Sequence, residues 1–440
     1  MQSKKLSIIL VIVIVTVAGW FLSVKAFLGI DNEKAQAQLV QEADGYASKE
    51  LYVRAIPKYR EALAYDVGNN EEIEAKLLNA YDLYGDIVSY VKLAEKRIAD
   101  NTAEEQEYIR TADYYRSTGK LSDAMEIVKT GIGQIGSDVL RNYYEENRYG
   151  CKTRVVGYEI VTPTYENTIM PAYDGEKWVY VDENGRDLGI GRFDTAVPFN
   201  DNGYAVVSAG GKYQTILTNG DLYGIDETGV EDVQAVSGSR VLARYKGKYS
   251  YYNFDFQPLT QGSHQYDQMT SNNNGVAAVK SGNQWGIITD GGGTVVDFTL
   301  ADVAVNSIGN AFSGGHAMVR DNNGWYLANT EGKRLNDQTY AAAKAPESPG
   351  GYIAVGNSNG KWGFADLEGN LVIDYKYDDA YSFSDGVAAV CVGETWAYIS
   401  AQGRTVIDYS LDGAQPFHSG RAQAHFVDGT ILLRLEYVEK

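Results

Sequence analysis

The chain has 440 residues, 44% of them hydrophobic, and its formal net charge at pH 7 is -19. This length suits two or three domains, each with a buried core. A surface this acidic repels phosphate backbones, so nucleic acid is not expected as a partner. The two cysteines, Cys151 and Cys391, are too few for a disulfide scaffold, and either one bridge or two isolated thiols fits the sequence.

The N-terminus carries an uncharged apolar run from Leu6 to Val24, preceded by Lys4 and Lys5. A helix of this length, at about 1.5 Å per residue, nearly spans the ~30 Å hydrocarbon core of a bilayer, and the lysines favour a cytoplasmic N-terminus. We expect residues 1–31 to form a cytoplasmic stub and a transmembrane anchor, with the rest of the chain outside the cell. The alternative is a secretory signal and a secreted chain, although the apolar run is longer than a signal usually has.

Residues 32–150 show apolar spacings of three and four, which predict helices. Five small or aromatic residues recur, with conservative replacements, after 69 residues, and half of 69 is close to 34. They are Ala43, Tyr46, Ala55, Tyr59 and Ala62, followed by Ala112, Tyr115, Ala124, Val128 and Gly131. This spacing resembles the tetratricopeptide repeat, a pair of antiparallel helices. The resemblance implies a groove for a peptide or a partner protein, and a plain helical spacer is the alternative. Pro57 departs from the pattern and is expected to kink its helix or remove a hydrogen bond.

Residues 151–440 change to short runs rich in Val, Ile, Tyr and Phe, separated by Gly, Asn and Asp, as β-strands and tight turns require. One aromatic residue recurs at intervals of 35, 36, 36, 40, 37 and 34 residues: Trp178, Tyr213, Tyr249, Trp285, Trp325, Trp362 and Trp396. The clearest unit holds the pair Trp362-Gly363, a turn at Gly369, the pair Tyr377-Asp378 and the loop Phe383-Ser384-Asp385-Gly386. Each unit is therefore predicted to be strand, turn, strand, loop, strand.

These residues resemble the WG beta repeat of bacterial proteins, most clearly at Trp285-Gly286 and Trp362-Gly363. The resemblance implies a fold and carries no settled activity. We expect a propeller-like ring of seven to eight units, with an open β-solenoid as the alternative. Residues 421–426 and 431–438 are predicted to begin an eighth unit, and residues 155–162 to supply its missing third strand, since a ring closed from both ends leaves no long exposed edge.

Several local patterns suggest chemistry, and each has a simpler structural interpretation. Gly356-Asn357-Ser358-Asn359-Gly360 matches the nucleophile pattern G-x-S-x-G but lies between two predicted strands, where a turn is expected. Acidic turns begin at Asp182 and Asp321 and lack the spacing of a calcium loop.

The histidines His264, His316, His418 and His425 show no metal spacing, although His316 and His418 follow the Phe of the same loop in different units. Asp194, Asp267, Asp378 and Asp379 could serve glycoside hydrolysis. The aromatic-Asp pair recurs from unit to unit, however, so we interpret these aspartates as acceptors of backbone N–H bonds.

We therefore predict a membrane-anchored binding or scaffolding protein, not an enzyme, with no catalytic, cofactor or metal residue assigned. Its helical repeats would bind a protein or peptide, and its β domain would present a surface to a cell-wall glycan. The alternatives are a carbohydrate-active enzyme, which requires a non-repeating ionisable cluster at the ring axis, and a purely structural stalk and cap. The recurrent aromatics are expected to pack inward and leave no single reactive cluster.

Overall fold

The computed structural model describes residues 31–65, 67, 70–163, 168–226, 229–259, 265–427 and 429–438. The predicted membrane anchor, residues 6–24, lies outside the described residues. Among the residues that are described, no helix is both long and apolar enough to cross a membrane. The chain divides into two units, Met1–Arg148 and Tyr149–Lys440, close to the boundary at residue 150 that the sequence predicts.

The first unit is helical throughout its described part. Its helices are α1 (31–47), α2 (Tyr52–Leu63), α3 (Asn70–Tyr84), α4 (Ile87–Ala99), α5 (Glu105–Ser117), α6 (Leu121–Ile135) and α7 (Asp138–Asn147). Pro57 lies within α2, which continues through it; because proline has no N–H, the helix lacks one backbone hydrogen bond there, as expected. Gly131 shows why small residues recur: a Cβ there would meet Leu140 at 2.6 Å and Tyr108 at 2.7 Å. The predicted helical spacing is confirmed.

The odd-numbered helices form one layer of the helical unit, because polar contacts connect each of them to the next. Lys76 Nζ of α3 bonds Asp44 Oδ2 of α1 at 2.9 Å, and Arg110 Nε of α5 bonds Asp82 Oδ1 of α3 at 2.9 Å. Tyr143 of α7 donates to Asp113 of α5 at 2.6 Å. Helices α4 and α6 are connected in the same way, by Gln134 of α6 donating to the carbonyl of Ile98 in α4 at 3.2 Å.

The second unit is built from eight antiparallel sheets, which we number as blades 1 to 8. Blade 1 holds β2 (Ile160–Val161), β3 (Met170–Tyr173) and β4 (Trp178–Val181); blade 2 holds β5 (Thr195–Ala196), β6 (Tyr204–Ala209), β7 (Lys212–Leu217) and β8 (Leu222–Ile225); blade 3 holds β9 (Asp232–Ser237), β10 (Arg240–Tyr245) and β11 (Lys248–Tyr252); blade 4 holds β12 (Gln268–Met269), β13 (Val276–Ser281), β14 (Gln284–Thr289) and β15 (Thr294–Leu300).

The chain continues with the other four blades. Blade 5 holds β16 (Asp302–Val303), β17 (His316–Asp321) and β18 (Gly324–Asn329); blade 6 holds β19 (Ala342–Ala343), β20 (Ile353–Gly356), β21 (Trp362–Ala365) and β22 (Leu371–Tyr377); blade 7 holds β23 (Asp379–Ala380), β24 (Val387–Val392), β25 (Thr395–Ser400) and β26 (Thr405–Leu411); blade 8 holds β27 (Gly413–Ala414), β28 (Arg421–Phe426), β29 (Gly429–Leu435) and β1 (Cys151–Val155).

The sequence predicts three strands per unit, and the structure adds a short first strand to most blades. In blade 7 this strand is Asp379–Ala380, which pairs with Cys391 and Val390. Two residues are too few to show an alternating pattern, so the sequence presents them as loop. The three-stranded blades 1, 3 and 5 are extended by isolated bridges at the recurrent aromatics, among them Trp178 to Phe193 and Trp325 to Tyr340.

The ring closes in blade 8, where strands from both ends of the unit pair. Strand β1 runs antiparallel to β29, with Cys151 opposite Leu435 and Val155 opposite Ile431. An eight-bladed β-propeller is thus formed, and the open solenoid is excluded. The predicted closing strand, residues 155–162, was wrong by one strand: residues 151–155 close the ring, and the following residues lead to β2 of blade 1.

A disulfide placed across the closing strands tests this register. Lys152 lies opposite Arg434, and both are exposed. In a background with alanine at Cys151 and Cys391, Lys152→Cys with Arg434→Cys is expected to form a bridge on mild oxidation, since facing Cβ atoms lie about 5 Å apart. The closed loop is long, so the free energy of unfolding in denaturant should rise by up to about 5 kcal/mol. The control pair Thr153→Cys with Arg434→Cys places the thiols on opposite faces, and equal cross-linking of both pairs contradicts the register.

Candidate functional site

The recurrent aspartates hold neighbouring blades together. Asp378 Oδ1 accepts a bond from Lys361 at 2.5 Å, and its Oδ2 accepts the N–H of Gly393 in the next hairpin at 2.8 Å. Two other units repeat this pattern: Lys177 with Asp194 and the N–H of Gly210, and Lys248 with Asp267 and the N–H of Gly282. The prediction that these aspartates accept backbone N–H bonds is confirmed.

Electrostatics agree with this structural role. The lysine hydrogen bond is the largest cause that lowers the pKa of each of the three aspartates, and the backbone N–H adds to it. A carboxylate held ionised by a fixed cation is a poor proton donor, so it is unsuited to act as the acid of a glycosidase. Asp379, the fourth candidate, pairs with Lys344 at 3.1 Å.

The recurrent aromatics fill the junctions between blades. Trp285 is 6% exposed and packs with Phe312 and Ala317 of the next blade. Trp178, Trp325, Trp362 and Trp396 are partly buried and occupy four other junctions in the same way. They pack inward as expected, and the ring has a separate hydrophobic cluster at each of these junctions. They line no cleft of convergent ionisable groups.

The Trp-Gly pair has a steric cause. The register of β21 against β22 shifts between Trp362 and Phe364, which brings the facing backbone close to Gly363. A Cβ at Gly363 would lie 2.6 Å from the carbonyl oxygen of Ile373, and one at Gly286 would lie 2.8 Å from that of Val296. A bulged partner strand thus requires glycine after the tryptophan in these two units.

The other sequence patterns prove to be turns. In Gly356–Gly360 the Asn357 side chain accepts the N–H groups of Asn359 and Lys361, each at 3.0 Å, so the G-x-S-x-G segment is a hairpin turn. Asp182 accepts N–H bonds from Asn184 and Arg186 in the same manner, and Asp321 does so from Asn323 and Gly324. The structural interpretation of these motifs is confirmed.

The histidines do not recur at one position. The bridges Ser313–His316, Ser384–Val387 and His418–Arg421 are equivalent, so His418 stands where other units have serine and His316 stands at the start of a strand. His425 bonds Gln423 at 3.0 Å, and His264 lies outside the described residues. His316 and His418 both follow the Phe of this loop, but they occupy different positions in it.

Three side chains from different blades meet at what we call the axial cluster: Ser307, Glu347 and His418. Ser307 Oγ lies 2.8 Å from Glu347 Oε2 and 2.7 Å from His418 Nε2, and the Ser307 N–H donates to Glu347 Oε1 at 3.2 Å. Glu347 and His418 are each 2% exposed, whereas Ser307 is exposed. Ser307 belongs to blade 5 and His418 to blade 8, three positions apart on a ring of eight. Their direct contact places the cluster at the ring axis.

All three residues stand where the chain departs from the repeat. The interval of 40 residues before Trp325 reflects an inserted turn at residues 305–310, which carries Ser307. Asn306 holds this turn, because its side chain accepts the N–H of Asn310 at 2.9 Å and donates to the Pro346 carbonyl at 3.2 Å. Glu347 lies in a loop without the Phe-Ser-x-Gly pattern, and His418 replaces its serine. The axial cluster is thus a non-repeating group with two ionisable side chains, which the sequence did not reveal.

Burial sets the protonation of the axial cluster. It raises the pKa of Glu347 to about 7, against the opposing effects of Ser307 and Lys344, and it lowers the pKa of His418 to about 3. Both groups are therefore neutral in mildly acidic solution. Above pH 7 the ionised Glu347 accepts the Ser307 hydroxyl proton, and His418 donates from Nε2–H. Below pH 7 the neutral Glu347 donates, and His418 accepts.

Cys151 and Cys391 are both free thiols, which decides between the bridge and the isolated cysteines. Within the described residues, no group of three or more His, Cys, Asp or Glu side chains is placed to hold a metal ion.

A cleft of about 400 Å³ lies at the seam where the ring closes, between β1 and blade 1. It is lined by Arg154, Tyr158, Asp174, Asp187 and Arg192, together with apolar groups. Arg192 pairs with Asp174 at 2.5 Å, and Asp187 accepts the N–H of Gly189, so its polar groups are held in place.

Comparisons with known proteins found one family and several solved structures with some similarity to this chain. The family model described as WG containing repeat matches residues 191–213, 263–285 and 362–396. Among solved structures, a eukaryotic initiation factor is 14% identical over 64% of this chain and 86% of its own, with a TM-score of 0.39. The AfRom2 CNH domain is 8% identical over 66% and 100%, at 0.34, and BBS1N, solved in complex with ARL6DN, is 12% identical over 65% and 95%, at 0.33. No curated protein matches at a significant level.

The fold and the site define a closed β-propeller preceded by a helical unit. The three matched segments contain Asp194, Asp267 and Asp378 together with Trp285, Trp362 and Trp396, so the chain carries segments that match the WG containing repeat at these three places. The resemblance seen in the sequence is confirmed for the propeller, and the helical region before it is present.

The axial cluster predicts opposite pH dependences for two variants. A raised pKa at Glu347 contributes stability that is present below pH 4.5 and lost as the pH rises to about 7. A lowered pKa at His418 contributes stability that is present above pH 6.5 and lost as the pH falls toward 3. In the wild type, the two contributions cancel between pH 4.5 and 6.5, because the folded pair and the unfolded pair hold the same number of protons.

Glu347→Gln removes the carboxyl contribution and leaves only the contribution of the lowered His418 pKa. Unlike that of the wild type, its free energy of unfolding should therefore rise throughout the range from pH 3 to 6.5. His418→Gln leaves only the carboxyl effect, so its free energy of unfolding should fall between pH 4.5 and 7. The rise for Glu347→Gln is on the order of 5 kcal/mol and the fall for His418→Gln is on the order of 3 kcal/mol, both measured by urea unfolding across the pH range. Slopes of the same sign in both variants contradict a neutral pair.

Proposed function

We propose that this chain is a binding or scaffolding protein that uses both repeat units to hold partners outside the cell membrane. The main support is that the repeated ionisable side chains of the propeller are occupied by contacts between blades. Asp194, Asp267 and Asp378 each hold a lysine and a backbone N–H, so no unit offers them as a reactive pair. The exposed surface of each unit is therefore the part that a partner could contact.

The layer of odd-numbered helices is the proposed site for a peptide or protein. On α3 the residues Lys76, Asn79 and Asp82 follow each other at intervals of three and share one face. Lys76 and Asp82 make the polar contacts to α1 and α5, and Asn79 is exposed between them. This arrangement fits a tetratricopeptide-like groove, in which the first helices of successive pairs line the surface. The net charge of -19 favours a basic or neutral segment as ligand.

The seam cleft is the proposed site for a glycan. Fixed guanidinium and carboxylate groups, such as Arg192 with Asp174, suit the adjacent hydroxyls of a sugar, and Tyr158 offers an aromatic ring. A carbohydrate-active enzyme is the second candidate function. The axial cluster supports it, because such an enzyme requires a non-repeating ionisable cluster at the ring axis. A stalk and cap without ligand is the third.

Membrane attachment through residues 6–24, with the N-terminus in the cytoplasm, remains part of the proposal and rests on the sequence alone. Secretion after cleavage of the same segment is its alternative.

A substitution in the helical layer tests the binding proposal. The full chain serves as bait against envelope proteins, and a glycan array is run beside it. Asn79→Arg adds a large cation in the middle of the layer, so captured proteins should decrease at least about tenfold, the equivalent of 1.4 kcal/mol. Glycan binding should not change, because the substitution is outside the propeller.

The control is Lys92→Glu on α4, which is also exposed but lies on an even-numbered helix. Capture that falls equally in both variants contradicts a groove on the odd-numbered layer. Turnover of a glycan without capture supports the enzyme, and the absence of both supports the stalk.

A further inference from the structure

The axial cluster joins an exposed hydroxyl to two buried groups that can exchange its proton. Ser307 is exposed, but its Oγ lies within 2.8 Å of Glu347 Oε2 and 2.7 Å of His418 Nε2. A serine becomes nucleophilic when a base within about 3 Å takes its proton and a further group fixes its orientation. Both requirements are met here by groups that solvent does not reach.

These three residues differ from the rest of the ring because each stands where its blade departs from the repeat. Blades 5, 6 and 8 each depart from the repeat at one place: an inserted turn, a replaced loop, and a histidine in place of serine. These departures lie 40 and 71 residues apart in sequence and meet at one point. Packing of a repeat fold does not require unique residues to converge, since the other blades close without them.

We propose that Ser307 is a nucleophile that accepts acyl groups from esters, with Glu347 as its general base and His418 as the hydrogen-bond donor that orients its oxygen. The proposal is independent of the binding function proposed above, which concerns other surfaces. The substrate class is an ester small enough to reach an exposed turn at the mouth of the ring.

The reaction proceeds in two balanced steps. Ser307 Oγ bonds to the ester carbonyl carbon as its proton passes to Glu347, and the leaving alcohol takes that proton as its bond to carbon breaks. Water then attacks the acyl-serine, gives its proton to Glu347 and releases the acid, and Ser307 recovers the proton. No oxidant, reductant or metal takes part.

The surroundings of Glu347 suit this role. Three titratable or charged side chains interact with it: Lys344, His418 and Tyr381. Burial raises the pKa of Glu347 to about 7 and keeps His418 neutral. A base with a pKa near the working pH is ionised in part of the molecules and still strong enough to accept a proton.

The chain supplies a matched control serine. Ser358 stands in the G-x-S-x-G segment that the sequence marks as a nucleophile pattern, and it is also exposed. It lies on a hairpin turn held by Asn357, with strands on both sides instead of the strand and helix of a nucleophile elbow. The structure therefore assigns the reactive position to the serine that no motif marks.

The test is covalent labelling of the full chain with a fluorophosphonate probe, followed by peptide mapping. We expect the label on Ser307 and not on Ser358, at a rate that rises with pH through about 7 in the wild type. Ser307→Ala should abolish the label. Glu347→Gln, which keeps an acceptor oxygen but cannot take the proton, should slow labelling by about a hundredfold and remove the dependence on pH. Ser358→Ala should leave both the rate and the position unchanged.

Each other outcome overturns the proposal. Absence of label, equal label on Ser358, or a rate that Glu347→Gln does not lower shows that Ser307 is not activated. His418→Gln retains an N–H donor and should lose less activity than His418→Ala, whereas equal loss contradicts the orienting role. Denaturant unfolding of each variant confirms that it is folded, and failure of partner capture by the wild type leaves this test unaffected.

Discussion

Closure of the ring is the constraint on which the propeller depends. Each blade has a face that is covered only by the next blade, and a cluster of buried residues lies at each junction among the described residues. The cluster between the last blade and the first joins Leu432 to Val156 and Val161. Val156 follows β1 directly, so the pairing of β1 with β29 brings Val156 against Leu432 and closes this junction.

A closed ring also separates two kinds of residue. Residues that recur have the same surroundings in every blade, and they are used for packing and for contacts between blades, as Asp378 and Trp362 are. Residues that depart from the repeat are not required for the packing and the contacts that every blade shares. Ser307, Glu347 and His418 are such residues, and the symmetry of the ring brings their loops together at its centre. The repeated residues therefore build the fold, and the residues that depart from the repeat form the candidate reactive site.

Much of this frame could be predicted from the sequence, because turns and aromatic spacing are local signals. The recurrent interval, the closure from both ends and the role of Asp194 all follow from comparison of one unit with the next. The closing strand was misplaced because the two-residue inner strands leave no pattern to count from. The axial cluster was missed because contacts over more than a hundred residues leave no spacing in sequence, although the interval of 40 before Trp325 marked the insertion.

The pairing of β1 with β29 has a consequence for how the chain reaches this state. Cys151 pairs with Leu435, which lies 284 positions later in the chain. The ring can therefore close only after the whole domain has been synthesised. Contacts of such sequence separation form slowly, because the intervening chain must first be ordered. Until then the edge of β29 is open to strands of other molecules. A chain that stops before residue 429 would lack β29 altogether, so β1 would stay unpaired, β28 would keep an open edge, and both would be prone to association.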